Sequence, residues 1–363
     1  MIFAYCATIQ PKFGGLRSFN IGLAHALKAQ LEIEGHQLFL ITKDEFKSDY
    51  SGFGNTLITY SGNHLIFENT RLPFLLKRLE VDFAILPHNR IPTWKSGSYK
   101  LVCIFHDLLF WRFPERFSMP KRLLRGFFLR NAARNSDYSF SVSGFTANEL
   151  AEYLPGHHSD VCYQAIAPIS TQNSDPVIDV AKEFLLSKPY FLFIGAQSFQ
   201  KNLPAVIEAF GLLRKQGNEA QLVLGGGKGS AESEIRQAIA QSEFTKDILV
   251  TGYLNENQKV ALMKNSIAFV FPSIYEGFGI PLLEAFQLGV PVICSNSSCL
   301  PEISNGAALE VDPNAGSLAR GMAEFLQKPD FRATYKAKGL TRIKEFTWEK
   351  TATVILSRLL ANS

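Results

Sequence analysis

Three carboxylate- or ammonium-bearing residues and one imidazole stand where sequence spacing suits chemistry: Lys201, Glu276, Glu284 and His106. The richest stretch is Pro272-Ser273-Ile274-Tyr275-Glu276-Gly277-Phe278-Gly279-Ile280-Pro281-Leu282-Leu283-Glu284-Ala285. A strand ending at Pro272, a glycine-rich turn, and Pro281 at a position the first helical turn favours would leave Gly277, Phe278, Gly279 and Ile280 presenting backbone N–H groups at a helix N-terminus, a setting that suits an anion. Glu276 then falls in the loop and Glu284 in the first helical turn. Both carboxylates can border one pocket at the carboxyl edge of a sheet, where open α/β sheets bind ligands, and carboxylates there suit sugar hydroxyls. An acid in a first helical turn is also explained by the helix dipole alone.

Other candidates are weaker in isolation. Gly14-Gly15 after a first strand is ordinarily a turn, His106-Asp107 at a strand end a loop hydrogen bond, and Lys201 a solvated surface lysine. Gly225-Gly226-Gly227-Lys228-Gly229-Ser230 follows a strand, but Ser230 stands where the third glycine of a dinucleotide fingerprint belongs, so no NAD site is expected. There is no Asp-x-Asp pair and no His and acid cluster with metal spacing, so no metal and no cofactor are expected.

These residues need elements to position them. The chain has 363 residues, 46% apolar, 12% aromatic and 19% charged, with 30 Phe, which implies a folded protein of about two domains. Short apolar strands alternate with amphipathic helices in both halves, the mark of parallel α/β sheets. Strands are expected near Ile2–Ile9, Gln37–Thr42, Phe83–Pro87, Leu101–Phe105, Tyr138–Val142 and Val161–Ala165, then near Phe191–Gly195, Gln221–Leu224, Leu249–Thr251, Ala268–Phe271 and Val292–Cys294. Expected helices include Phe19–Gln30, Leu203–Lys215, Glu232–Ser242, Glu256–Asn265 and Pro281–Leu288. The polar, proline-bounded run Pro168–Asp179 is the best linker. The expected division is residues 1–170, a linker over 171–185, and residues 186–343, with 344–363 returning to the first domain.

A net charge of +4 is too small and too dispersed to argue for nucleic acid. The five cysteines form no paired spacing and suit reduced thiols in a cytoplasmic protein. The apolar N-terminus lacks a basic leader and reads as a strand, and no run reaches the length of a membrane span. Any membrane contact is expected to be peripheral, at the inner face of the plasma membrane. Between Arg112 and Arg134 seven basic residues face one acid, Glu115, interleaved with Leu123, Leu124, Phe127, Phe128 and Leu129. Two readings stand: an interfacial face toward anionic lipid, or a helix packed by its Phe and Leu side with solvated charges.

Glu276, seven intervening residues and Glu284, with Gly277-Phe278-Gly279 and Pro281 between and Gly289-Val290-Pro291-Val292 after, resembles the signature of glycosyltransferase family 4, retaining enzymes of GT-B fold. Further blocks follow in family order over nearly the whole chain: Phe13-Gly14-Gly15-Leu16, Phe105-His106-Asp107-Leu108, Ser143-Gly144-Phe145-Thr146, Phe193-Ile194-Gly195 with Lys201-Asn202-Leu203, Val250-Thr251-Gly252-Tyr253-Leu254, Pro301-Glu302-Ile303 and Asp312-Pro313.

The resemblance implies two Rossmann-like α/β/α domains facing across a cleft, the first for the acceptor, the second for a nucleotide sugar, with a C-terminal helix crossing back. It implies that His106, Lys201 and Glu276 carry the chemistry. It implies that Gly14, Gly15, Gly195, Lys201, Gly252, Tyr253, Glu276, Gly277, Phe278, Gly279, Ile280, Leu283 and Glu284 line the donor site, Glu284 on the ribose and Lys201 on the diphosphate. Many relatives carry Arg before that lysine and some carry Arg after the strand glycine, whereas this chain has Gln200 and Ala196. The expected activity is retaining, metal-independent transfer of a hexose from a nucleotide sugar, UDP-glucose being favoured and GDP-mannose next, to a glycan or lipid-linked acceptor in envelope or exopolysaccharide assembly. A reading of another class is a catalytically silent nucleotide-sugar-binding subunit. Glu345–Leu360, with Phe346, Trp348, Ile355 and Leu359 as anchors, is expected to pack on the first domain.

Overall fold

The computed structural model describes residues 1–11, 14–169 and 178–361. Phe13 of the first glycine loop and residues 171–177 of the expected linker lie outside the described residues. The chain forms two compact units, one of Met1–Ala167 with Phe346–Ser363, the other of Pro168–Glu345.

In the first unit the strands are β1 (Ile2–Ala7), β2 (Gln37–Lys43), β3 (Leu57–Tyr60), β4 (Phe83–Leu86), β5 (Lys100–Phe105), β6 (Tyr138–Ser141) and β7 (Asp160–Val161). All described pairings are parallel, in the order β3-β2-β1-β4-β5-β6-β7. Central strands are buried on both faces: Phe3 through Ala7 and Val102 through Phe105 are all 0% exposed, which is why they read as continuous apolar runs. β3 was not among the expected strands. The strand expected over Val161–Ala165 shrinks to Asp160–Val161, because at the sheet edge it pairs only with β6.

The helix Gly15–Ile33 buries Phe19, Leu23, Leu27 and Leu31, one residue per turn. Against it lies the terminal helix Trp348–Leu360, whose N-cap Thr347 accepts a hydrogen bond from the Lys350 N–H and which buries Trp348, Ile355 and Leu359. The fit is close: a Cβ on Gly22 would stand 2.1 Å from the Trp348 ring. Phe346 adds a contact to Tyr163, ring centroids 5.7 Å apart. Burying each large apolar chain is worth about 1.5–3 kcal/mol, so this helix is part of the first unit's core.

The second unit repeats the plan with β8 (Tyr190–Ile194), β9 (Gln221–Gly225), β10 (Ile248–Gly252), β11 (Ala268–Phe271), β12 (Val292–Ser295) and β13 (Leu309–Val311), ordered β10-β9-β8-β11-β12-β13 and parallel throughout the described pairings. Each sheet reverses its strand order once, between β1 and β4 and between β8 and β11, and such switch points open the ligand crevice of doubly wound folds. Gly225, Gly226 and Gly229 of this run are required by packing. A Cβ on Gly226 would stand 2.0 Å from the Gly195 carbonyl oxygen, and one on Gly229 would stand 2.4 Å from that of Gln197. These positions are small so that two backbones can approach, not so that a dinucleotide can.

The basic segment forms the helix Met119–Asn135, which buries Gly126, Leu129, Ala132 and Ala133. It does not pack by its Phe and Leu side: Met119, Leu123, Leu124 and Phe127 are 60%, 68%, 52% and 55% exposed. Among the described residues no helix is long and apolar enough to cross a membrane, no group of three or more metal-ligating side chains assembles, and the five cysteines are buried free thiols.

Candidate active site

The second-unit site begins where β8 and β11 end. After β8 the chain makes the short turn Phe199–Lys201 and leaves it through Asn202 in a left-handed conformation, φ 56°, which Asn tolerates better than most residues. The turn is tied to the loops after β11 and β13. The Ile274 N–H donates to the Gln200 carbonyl at 2.8 Å, and the Asn202 side-chain amide donates to the Pro313 carbonyl at 2.8 Å. Gln200 therefore serves through its backbone where many relatives would place a charge.

This staple sets Lys201 Nζ 2.5 Å from Glu276 Oε1, each side chain only 14% exposed, with the ammonium 4.8 Å from the centre of the Phe271 ring. Glu276 is oriented in turn by its N–H, which donates to Ser298 Oγ at 3.0 Å. The loop closes into the helix Ile280–Gln287 through Gly279, left-handed at φ 96°, where a Cβ would also stand 2.9 Å from Leu300.

Because the helix begins at Ile280, Glu284 lies in its second turn. The sequence reading of a first-turn acid is corrected, and the dipole account of this residue falls with it, since the effect fades within one turn. Glu284 instead meets Lys259, Nζ to Oε1 2.9 Å, and Lys259 also reaches Glu256 at 2.9 Å. Burial raises the Glu284 pKa against the opposing pull of Lys259. For Lys259 burial lowers the pKa, but the carboxylates of Glu284 and Glu256 outweigh it and the net shift is upward. Lys259 was not singled out from sequence. A signal existed, since it follows Glu256 by three residues on a helix whose start carries an Asn255–Gln258 capping box, but its pairing with Glu284 joins two helices.

The expected donor residues divide by exposure. Phe278 and Leu283 are core side chains, 3% and 0% exposed, whereas the Tyr253 ring is 65% exposed beyond Gly252 at the end of β10. Gly195 and Gly277 lie in the loops after β8 and β11, and Ile280 is the first residue of its helix.

In the first unit, Gly14 caps the helix that Gly15 begins, directly beyond β1. His106 follows β5 and is held by several contacts. Its N–H donates to Asn89 Oδ1 at 2.7 Å, Asn89 Nδ2 donates to the Asp107 carbonyl at 2.6 Å, and the ring meets the edge of Phe19 at 4.6 Å. Phe19 in turn packs against Trp348 at 5.6 Å. Burial of the ring pushes the His106 pKa down to about 4, so the imidazole is neutral at physiological pH. Ser143 caps the helix Gly144–Tyr153, its Oγ accepting from the Thr146 N–H at 3.1 Å.

Below His106 lies a buried network that sequence did not reveal. Glu68, 0% exposed, accepts from Arg90 Nε at 2.7 Å and Nη2 at 3.1 Å, lies 3.2 Å from His88 Nε2, and accepts from the Thr8 hydroxyl. Burial alone would raise the Glu68 pKa, but His88 and Arg90 hold it down at about 2.

Two doubly wound sheets of one strand order share the architecture of the GT-B fold. Residues 177–342 match the family described as glycosyl transferases group 1. By sequence the chain is similar to O-antigen chain mannosyltransferase B of Escherichia coli, 27% identical over 93% of this chain and 94% of that protein. It is also similar to the serotype-specific mannosyltransferase WbdA of Escherichia coli, 27% identical over 77% of this chain but only 35% of that longer protein. By structure it resembles sucrose-phosphate synthase from Thermosynechococcus elongatus with a TM-score of 0.74 at 18% identity, covering 100% of both chains.

Proposed function

We propose that the protein transfers a mannosyl residue, with retention and without a metal ion, from GDP-mannose to a growing glycan or lipid-linked acceptor of the cell envelope. The mannosyl alternative replaces UDP-glucose because the two relatives aligned over 93% and 77% of this chain are named mannosyltransferases. The observation that carries the reading is the Lys201–Glu276 pair at the β8/β11 switch point. A donor diphosphate entering there meets an ammonium already in position, whose attraction grows as negative charge develops on the departing phosphate. Glu276 then turns its carboxylate to the sugar hydroxyls, and Glu284 accepts from the ribose. Retention requires no enzymic base if a leaving phosphate oxygen takes the acceptor proton on the same face.

The test is nucleotide release with GDP-mannose, UDP-glucose and UDP-galactose in turn, followed by analysis of the anomeric configuration of the product. GDP release above the uncatalysed rate with an α-linked mannose supports the reading. Tight donor binding with no release from any donor would favour a silent sugar-binding subunit instead.

The acceptor side of the proposal includes docking on an anionic bilayer leaflet from the cytoplasmic side. Met119, Leu123 and Phe127 recur every four residues, Leu124 lies beside them, and the exposed Lys121, Arg125, Arg130 and Arg134 flank them. Such a face combines shallow apolar insertion with about 1 kcal/mol of attraction per basic residue near an anionic surface. Co-sedimentation should rise with the phosphatidylglycerol content of vesicles and fall in Leu123→Glu with Phe127→Glu. Equal partition into neutral and anionic vesicles would refute it.

A further inference from the structure

The two ring nitrogens of His106 both face protein. Nε2 lies 3.0 Å from the Pro87 carbonyl oxygen, and Nδ1 lies 3.2 Å from the side-chain amide nitrogen of Gln164. A carbonyl oxygen can only accept, so Nε2 carries the hydrogen. A neutral ring protonated there has a bare lone pair on Nδ1, and the partner of that lone pair must donate, which the Gln164 amide does. The opposite tautomer would set the Nε2 lone pair against the carbonyl lone pairs. Gln164 itself is 5% exposed, so its amide has little water to turn to.

The carbonyl is as firmly held as the amide. Pro87 opens the loop after β4 whose Asn89 clamps the backbone of His106 and Asp107, and whose Arg90 is anchored on the buried Glu68 carboxylate. The Phe19 ring lies nearly perpendicular to the imidazole, centroids 4.6 Å apart. His88 is the ionisable neighbour that acts on the imidazole, and burial lowers its own pKa.

We propose that Gln164 is a positioning residue for His106. Together with the Pro87 carbonyl it fixes the ring as the Nε2–H tautomer and reserves Nδ1 as a hydrogen-bond acceptor. In the glycosyl-transfer reading, on which this assignment rests for its kinetic arm alone, the ring serves neutral and in one fixed orientation and does not act as an acid.

The experiment combines ¹⁵N spectroscopy of imidazole-labelled full-length protein with kinetics of Gln164→Leu and Gln164→Glu. Wild type should show His106 as the neutral Nε2–H tautomer from roughly pH 5 to 8, with or without donor. In Gln164→Glu a carboxylate at Nδ1 draws a second proton, so His106 should titrate within that range. The kcat of that variant should climb as pH rises and the imidazolium deprotonates, a dependence absent from wild type. Gln164→Leu should lower kcat by about tenfold with an unshifted pH profile. A wild-type ring protonated at Nδ1 overturns the assignment, even if Gln164→Leu does not fold. So does a Gln164→Glu protein in which His106 titrates upward while kcat keeps the wild-type pH profile. If no donor is turned over, the spectra alone decide how Gln164 holds the ring, and only the transfer reading fails.

Discussion

Replacing Lys201 with alanine removes the ammonium that the β8 and β11 loops set against Glu276. The pair is nearly enclosed, with a 2.5 Å contact and 14% exposure on each side. Two unit charges about 4 Å apart at an effective dielectric near 20 attract by about 4 kcal/mol, and desolvation offsets part of this, leaving a coupling of about 2 kcal/mol. In the free protein, Lys201→Ala and Glu276→Gln should each destabilise, and the double variant should be more stable than the sum of the two losses by about that coupling. In turnover the loss is different in kind. Charge on the leaving diphosphate is larger in the transition state than in the bound donor, so Lys201→Ala should lower kcat by on the order of 10², about 2.7 kcal/mol, with a smaller change in donor affinity. Gln200 and Ala196 offer no side-chain charge to replace it. Steady-state nucleotide release gives kcat, calorimetry gives donor affinity, and urea unfolding of the three variants gives the coupling. An unchanged kcat in Lys201→Ala would remove Lys201 from the reaction, and strictly additive stabilities would remove the ion pair from the energetics.

Glu284→Ala should raise donor KM by the equivalent of about 1.5–3 kcal/mol with little effect on kcat, because its contacts persist from bound donor to transition state; a fall in kcat alone would contradict the ribose role. Turnover should survive EDTA, and loss of activity restored by manganese would overturn the metal-free account. Glu68, with a native pKa of about 2 against 4.5 for the unperturbed group, should contribute about 3 kcal/mol of stability that is fully present above pH 4.5 and lost as pH falls toward 2. Glu68→Gln should flatten that part of the stability–pH curve measured by urea unfolding. Gly22→Ala should displace Trp348 and destabilise the first unit by about 1–3 kcal/mol, read as a lowered Tm; an unaffected Tm would show that the terminal helix is loosely held.

Much of the architecture is local and therefore legible in the chain itself. Doubly buried parallel strands are continuous apolar runs, so β1, β2, β5, β8 and β11 stand out, and the helices between them show one buried residue per turn. The carboxylates, the glycine turn before Pro281 and Lys201 are likewise visible, because their spacing along the chain is the spacing of a strand end, a loop and a helix start. Edge elements are less marked. β3 and β13 are short and only partly buried, so neither alternation nor a long apolar run betrays them.

What required the tertiary structure is every pairing between distant elements. That Lys201 meets Glu276 follows from a backbone bond between Ile274 and Gln200, and the Glu284–Lys259 ion pair joins two different helices. The Glu68 network and the hold of Gln164 on His106 join residues 20 to 60 positions apart. Exposure of Leu123 and Phe127 was equally hidden, since a helix with apolar residues on several faces buries the one its neighbours leave room for. Here Gly126 and the small Ala132 and Ala133 allow the closer approach, and the large side chains are left facing out.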